Sequence, residues 1–294
     1  MANFVLVGAA GYIAPKHFRA IKETGNDLIA ILDPHDSVGI IDSYFPDAAY
    51  FCEFERFDRY ICKLIESGTS VDYISVCSPN YLHDAHIRFG LRIGSNVICE
   101  KPLVITPWNC DALDKIQSNS KGKVYSILQL RYHESIQRLK NNLRDKRYKI
   151  KLKYITSRGK WYNYSWKGDI IKSGGIVMNI GVHFFDMLIW LFGGVLDYTS
   201  AFHSKDHISG NLKLEKADVE WELSTDKKLL PANYGQTYRC ITIDGKELEF
   251  SDGFTNLHTK SYREILNGNG FGIADVKPAI DLAYQIRQSC KIIR

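Results

Sequence analysis

Residues 3–8, Asn-Phe-Val-Leu-Val-Gly, form an apolar run without alternation that ends on a glycine. A helix-compatible stretch follows from about Ala14 to Thr24. A strand apolar on both faces has to be covered on both faces, as it is in a parallel sheet lying between crossover helices. The pattern recurs: residues 27–33, 71–77 and 96–99 are further apolar runs, followed by helix-compatible sequence. The first 120 or so residues therefore predict an α/β Rossmann domain, a doubly wound parallel sheet that takes its ligands at the carboxyl ends of its strands.

Beyond residue 122 the period changes. Residues 149–155 alternate lysine with Ile150, Leu152 and Tyr154, and Val219, Trp221 and Leu223 recur at every second position. That spacing predicts strands buried on one face. Residues 238–243 and 246–250 flank Asp244-Gly245, a two-residue hairpin signal. The second half is predicted to be an α+β domain with a mostly antiparallel open sheet and a main helix near residues 176–192. The boundary is placed at Lys121-Gly122, giving domains 1–121 and 122–294, and 294 residues suit two domains.

Composition narrows the class. With 45% hydrophobic and 24% charged residues, the chain is neither disordered, collagen-like nor a disulfide-stapled miniature. No apolar run reaches the roughly 18 residues of a membrane span, and the longest, residues 184–192, is interrupted by Asp186. The N-terminus lacks the basic region of a signal peptide. Seven cysteines without a C-x-x-C pair predict reduced, mostly buried thiols in a cytoplasmic protein. A formal charge of +5 suits anionic ligands, and the absence of a clustered basic patch argues against nucleic acid.

Gly8-Ala9-Ala10-Gly11-Tyr12-Ile13-Ala14 lies between the first strand and the first helix. It fits the dinucleotide pattern G-x-G-x-x-G/A apart from a first spacing one residue longer. Gly8 would supply the tight turn, Gly11 the close backbone approach and Ala14 the helix–strand packing, with a pyrophosphate on the helix N-terminus. A plain tight turn is the other reading. Asp33 would accept hydrogen bonds from an adenosine ribose and repel a 2′-phosphate, or else cap the following helix. No Lys or Arg intervenes before Arg56, so the expected cofactor is NAD.

Ser78-Pro79-Asn80 with His83 closes another buried strand and suits ribose or nicotinamide, although Ser-Pro-Asn is also ordinary turn chemistry. His83 and His86 lack a nearby third ligand, so a helix surface is expected there and no metal. Glu100-Lys101-Pro102 brings an acid and a lysine to a strand end. The lysine is either desolvated to act on a substrate hydroxyl or one partner of a solvated surface pair. After Gly174-Gly175, Asn179, His183 and Asp186 share one face if the segment is helical. His183 there is a general base or a satisfied core residue.

Together, the glycine loop, Asp33, Ser78-Pro79-Asn80, Glu100-Lys101-Pro102, Trp166-Lys167, Gly174-Gly175 and Asn179 to His183 resemble the Gfo/Idh/MocA oxidoreductase family. Within it, residues 8–15, 36–42, 155–159, 165–169 and 179–183 look most like the UDP-N-acetylglucosaminuronate 3-dehydrogenases of bacterial surface-polysaccharide synthesis. The resemblance implies NAD-dependent oxidation of the C3 hydroxyl of that UDP-sugar to a 3-keto product. Lys101 and His183 would act at the reacting carbon, with Asn179 beside them where many relatives carry Asp. An amide orients but does not take the proton. The implied cofactor set is Gly8, Ala10, Gly11, Tyr12, Ile13, Asp33, Ser78, Asn80, His83, Glu100, Lys101, Gln129 and Trp166. For the substrate it is Lys101, Arg131, Arg158, Tyr164, Lys167, Asn179 and His183. Trp161, Tyr162 and Tyr164 could stack on uracil or simply pack. 2-Oxoglutarate as a co-substrate and a homodimer or homotetramer are implied by some relatives, with neither a membrane nor a nucleic acid as partner. Another sugar or polyol dehydrogenase, and more remotely a dinucleotide-sensing regulator, share these motifs. Fluorescence titration is expected to give tighter binding of NADH than of NADPH; the reverse order removes the NAD assignment.

Overall fold

The computed structural model describes residues 1–250 and 253–289. Two compact units emerge. The first comprises Met1–Val104, Trp108–Gln129 and Asn256–Asp275; the second comprises Ile105–Pro107, Leu130–Thr255 and the chain from Val276 onward.

The first unit holds β1 (Asn3–Val7), β2 (Asp27–Leu32), β3 (Ala49–Phe51), β4 (Tyr73–Val76), β5 (Asn96–Cys99) and β6 (Val124–Ser126). All neighbours pair in parallel, in the order β3-β2-β1-β4-β5-β6. Strand order reverses between β1 and β4, and such a switch point opens a crevice at the strand ends. Phe4, Leu6, Phe18, Ile21 and Ile31 are fully buried in a core between this sheet and the Ala14–Glu23 helix. That core also takes in Tyr262 and Ile265 from the Leu257–Leu266 helix. The boundary placed after residue 121 falls three residues ahead of β6, which pairs with β5. A three-residue strand is too short to show a period, and the return of residues 256–275 leaves no local mark. His83 and His86, expected on a helix surface, are buried instead. The His83–Arg92 helix turns both imidazoles inward, where His86 Nδ1 lies 2.8 Å from Ser78 Oγ.

The second unit holds β7 (Tyr148–Thr156), β8 (Val195–His203), β9 (His207–Leu214), β10 (Ala217–Ser224), β11 (Thr237–Ile243) and β12 (Lys246–Glu249). Their order is β12-β11-β7-β10-β9-β8; only β7 and β10 are parallel and the other pairs are antiparallel. The β11–β12 hairpin turns on Asp244 and Gly245, both at positive φ as this turn type requires. On the outer face, Lys149, Lys151 and Lys153 of β7 stand opposite Asp218, Glu220 and Glu222 of β10. Lys151–Glu220 and Lys153–Glu222 meet at 3.0 and 3.1 Å, exposed pairs worth little to stability. The lysines of β7 thus meet acids of their own sheet. On the inner face, Trp221 packs edge-on against Phe185, and Tyr154 meets Phe184 at 4.8 Å.

The helical stretch Ile170–Phe192 is long and apolar enough by length and composition to cross a membrane, although the sequence reading found no such run. In the fold 78% of its apolar window is buried, so it packs as a core helix. Among the described residues no disulfide forms; Cys77, Cys99, Cys110 and Cys240 are buried, Cys52 is exposed and Cys62 is half-buried. Cys290 lies outside the described residues.

Burial, reinforced by neighbouring His83, pushes His86 down to about 4. With an unfolded value near 6.5, the stability contributed by neutral His86 is complete above pH 6.5. It is lost as pH falls toward 4, by about 3 kcal/mol in all. In urea titrations at pH 7 and pH 5, His86→Asn is expected to lose about 2 kcal/mol less than wild type on acidification. Parallel losses in the two proteins would refute this assignment.

Candidate active site

β1 ends at Val7 and the chain turns at Gly8, whose φ is +97°. A Cβ at Gly8 would lie 2.5 Å from the Ser78 amide nitrogen, so only glycine lets the first strand end pass the fourth this closely. The loop then climbs to a helix that starts at Ala14 with Pro15 in its first turn. Among the described residues the N–H groups of Tyr12 and Ile13 donate to no protein acceptor. Asp33 does not cap a helix. Its carboxylate accepts from Ala10 N and His35 N, each at 2.8 Å, which fixes the glycine loop to the end of β2. Free amides at a helix start, a glycine-lined approach and an acidic residue with no cation until Arg56 fit a dinucleotide lacking a 2′-phosphate. Tyr12 is exposed beside the loop, and Ser78 and Asn80 are buried at the end of β4. Gln129 closes this unit beyond β6.

At the end of β5, Lys101 is half-buried and its peptide to Pro102 is cis. Glu100, expected to meet the cofactor, is buried instead. Its Oε1 accepts from Nε2 of His17 at 2.9 Å and of His258 at 2.8 Å. Burial alone would raise this carboxyl, but the two histidine hydrogen bonds outweigh it and hold it well below the usual range. His17 Nδ1 lies 2.7 Å from the Tyr262 hydroxyl, which lies 2.6 Å from Ser75 Oγ. His83 also serves the backbone: its ring nitrogens lie 2.8 Å from the carbonyl oxygens of Pro102 and Ser78. It braces the ends of β4 and β5 against each other. His17, His258, Tyr262 and Ser75 were missed by sequence reasoning. The one trace is a histidine four residues before a tyrosine on the otherwise apolar face of a helix.

In the second unit, Gly174 and Gly175, both at positive φ, lead into a π-helical turn, Val177–Gly181, continued by the helix Val182–Phe192. Asn179 is buried and its Nδ2 donates to the Tyr162 hydroxyl at 2.9 Å. His183 is half-buried, edge-on to Phe184. Asp186 belongs to a different function: Arg131 Nε and Nη2 donate to its two oxygens at 3.0 and 2.7 Å, with both side chains buried. The guanidinium expected to grip the substrate is thus already paired inside the fold. Tyr162 is also buried and held by Asn179, so its ring is not free to stack on a base. Tyr164 at 90% exposure, Trp161 and Arg158 are open to solvent. Lys167 Nζ lies 4.4 Å from the Trp166 ring centroid.

Residues 2–128 match the family described as oxidoreductase family, NAD-binding Rossmann fold. Residues 146–230 match the family's C-terminal alpha/beta domain. A crystal structure of the WlbA (WbpB) dehydrogenase from Thermus thermophilus, in complex with NAD and UDP-GlcNAcA, superposes with a TM-score of 0.95 at 45% identity; the match covers 98% of this chain and 95% of that one. The same Thermus enzyme in complex with NAD and alpha-ketoglutarate gives 0.95 at 46% identity over the same shares. Inositol 2-dehydrogenase of Rhizobium meliloti (strain 1021) is 28% identical over 65% of this chain and 55% of its own length. The chain spans about half the length of the curated relatives it matches.

Removing one member of a buried ion pair leaves the other charge uncompensated, at a cost of about 3–5 kcal/mol. Arg131→Ala is therefore expected to lower unfolding stability by that amount, and Arg131→Met with Asp186→Leu to recover most of it. Wild-type stability in Arg131→Ala, with only a raised KM, would return this arginine to the substrate.

Proposed function

The chain belongs to the Gfo/Idh/MocA oxidoreductase family, and on that premise we propose that it oxidises the C3 hydroxyl of UDP-N-acetyl-D-glucosaminuronate to the 3-keto sugar with NAD+. The observation that carries this reading is the 45% identity, over 98% of the chain, with a dehydrogenase crystallised with NAD and that UDP-sugar. NAD+ supplies the hydride acceptor when bound. Gly8, Gly11 and the amides of Tyr12 and Ile13 hold its pyrophosphate, and Asp33, whose carboxylate is oriented by Ala10 and His35, is the residue assigned to the adenosine ribose.

His183 takes the hydroxyl proton and Lys101 holds the hydroxyl oxygen as negative charge builds on it. Asn179 has no proton-accepting role; with its amide fixed on Tyr162 it orients by hydrogen bonding. Lys167 and Arg158 are the cations assigned to the phosphates and the uronate, with the exposed Tyr164 beside them. A neighbour crystallised with alpha-ketoglutarate supports 2-oxoglutarate as the acceptor that returns NADH to NAD+. Homodimers or homotetramers, a cytoplasmic location and service to surface-polysaccharide synthesis complete the reading.

Initial rates are expected to favour UDP-N-acetylglucosaminuronate over UDP-N-acetylglucosamine and free sugars. His183→Ala is expected to lose about 10²–10⁴-fold in kcat while binding NADH normally. Near-normal kcat in that variant, or a preference for a free polyol, would displace this assignment.

A further inference from the structure

Side chains along a strand alternate between faces, so a strand end that presents Lys101 to the crevice turns Glu100 into the protein. An acid there faces the packed side of the sheet and costs free energy unless it is paired. Two helices far apart in sequence meet it, one with His17 and one with His258, 83 and 158 residues away. The protonation pattern is self-consistent. An ionised Glu100 needs a proton on Nε2 of each histidine. With that tautomer, His17 leaves Nδ1 to accept from the Tyr262 hydroxyl, which accepts from Ser75. His258 Nδ1 is left buried with no partner, an uncompensated acceptor. An apolar trio would stabilise this core at least as well, so stability does not account for the arrangement.

Its location does. Glu100 N donates to Val76 O at 3.0 Å, the free Oε2 accepts from Lys101 N at 3.3 Å, and Pro102 O meets His83. The backbone on both sides of Lys101 is thus tied to buried imidazoles. We propose that the buried Glu100 carboxylate, held by His17, His258 and Tyr262, is a positioning device for Lys101: it fixes the backbone from which the lysine reaches the reacting hydroxyl. The inference rests on the role given to Lys101 above. The same three ligand atoms lie within 4.8 Å of one another, as a metal site would require. A metal would take the Nε2 lone pairs and displace the protons donated to Glu100, so a metal site and this hydrogen-bonded trio are mutually exclusive.

The test compares His258→Leu, which deletes the donor, with His258→Gln, whose side-chain amide donates from the same place. His258→Leu is expected to lower kcat about tenfold or more, with KM for the UDP-sugar and the NADH Kd within about threefold of wild type. Amide hydrogen exchange in a peptide spanning residues 100–103 should quicken, and His258→Gln should recover both readouts. If His258→Leu does not fold, Tyr262→Phe removes one hydroxyl from the same relay; a kcat about threefold lower supports the proposal and an unchanged kcat overturns it. Unchanged kcat and exchange in His258→Leu, a glutamine variant no better than leucine, or one equivalent of tightly bound transition metal in the purified protein would each overturn it. Exchange reports on Lys101 whatever the substrate, so a protein inactive on the UDP-sugar but sensitive to His258→Leu in exchange sinks the substrate reading alone.

Discussion

A parallel sheet buried on both faces has only its strand ends free, and that constraint governs the first unit. Gly8, Asp33, Ser78, Asn80 and Lys101 all lie at or just past the carboxyl ends of β1, β2, β4 and β5. The close approach of Gly8 to Ser78 sits where strand order reverses. A larger residue at Gly8 would push the first strand end away from the fourth and widen the crevice that the loop closes. These five residues thus sit on loops anchored to a rigid scaffold, where a small shift of one strand end moves several contacts together.

The second unit solves a different problem. Its sheet buries one face against an apolar helix and leaves the other to charge, and the alternation in β7 and β10 separates the two. Lysines opposite acids across a parallel pair keep the outer face neutral overall while holding register: a slip of one residue would turn Ile150 and Trp221 to water. The inner helix carries Asn179 and His183 on the same element that builds the core. Asn179 lies within a π-helical turn and His183 just after it, which alters their relative placement from that of a regular helix.

Legibility in the sequence followed the range of the interaction. Runs such as residues 3–8 and the alternation of residues 149–155 show their strands directly, because a buried face writes itself into consecutive residues. The hairpin at Asp244-Gly245 is as plain, since its backbone demands those residues. The glycine loop and Lys101 were visible for the same local reason. The pairing of Arg131 with Asp186 is invisible in the sequence because the two lie 55 residues apart, and an arginine's sequence neighbours do not say whether its charge is already met. The partners of Glu100 are equally remote, 83 and 158 residues away. His17, His258 and Tyr262 have no local spacing in common, and only the folded chain unites them. The Ile170–Phe192 stretch reads as shorter because Asp186 interrupts its longest apolar run, and in the fold that carboxylate is paired with the buried Arg131.

The late return of residues 256–275 bears on synthesis. Tyr262 is fully buried against Phe4 and Phe18, and Ile265 lies in the same cluster. A chain emerging from the ribosome makes the glycine loop and the parallel sheet first, yet it cannot close that core until residues 256–275 have followed the second unit's sheet. During translation, then, the nucleotide-binding half waits unfinished: Phe4 has Tyr73 but lacks the Tyr262 ring, and Glu100 has His17 but lacks His258. Order of synthesis and order of completion are opposed: the half begun first is closed only after most of the other has been made.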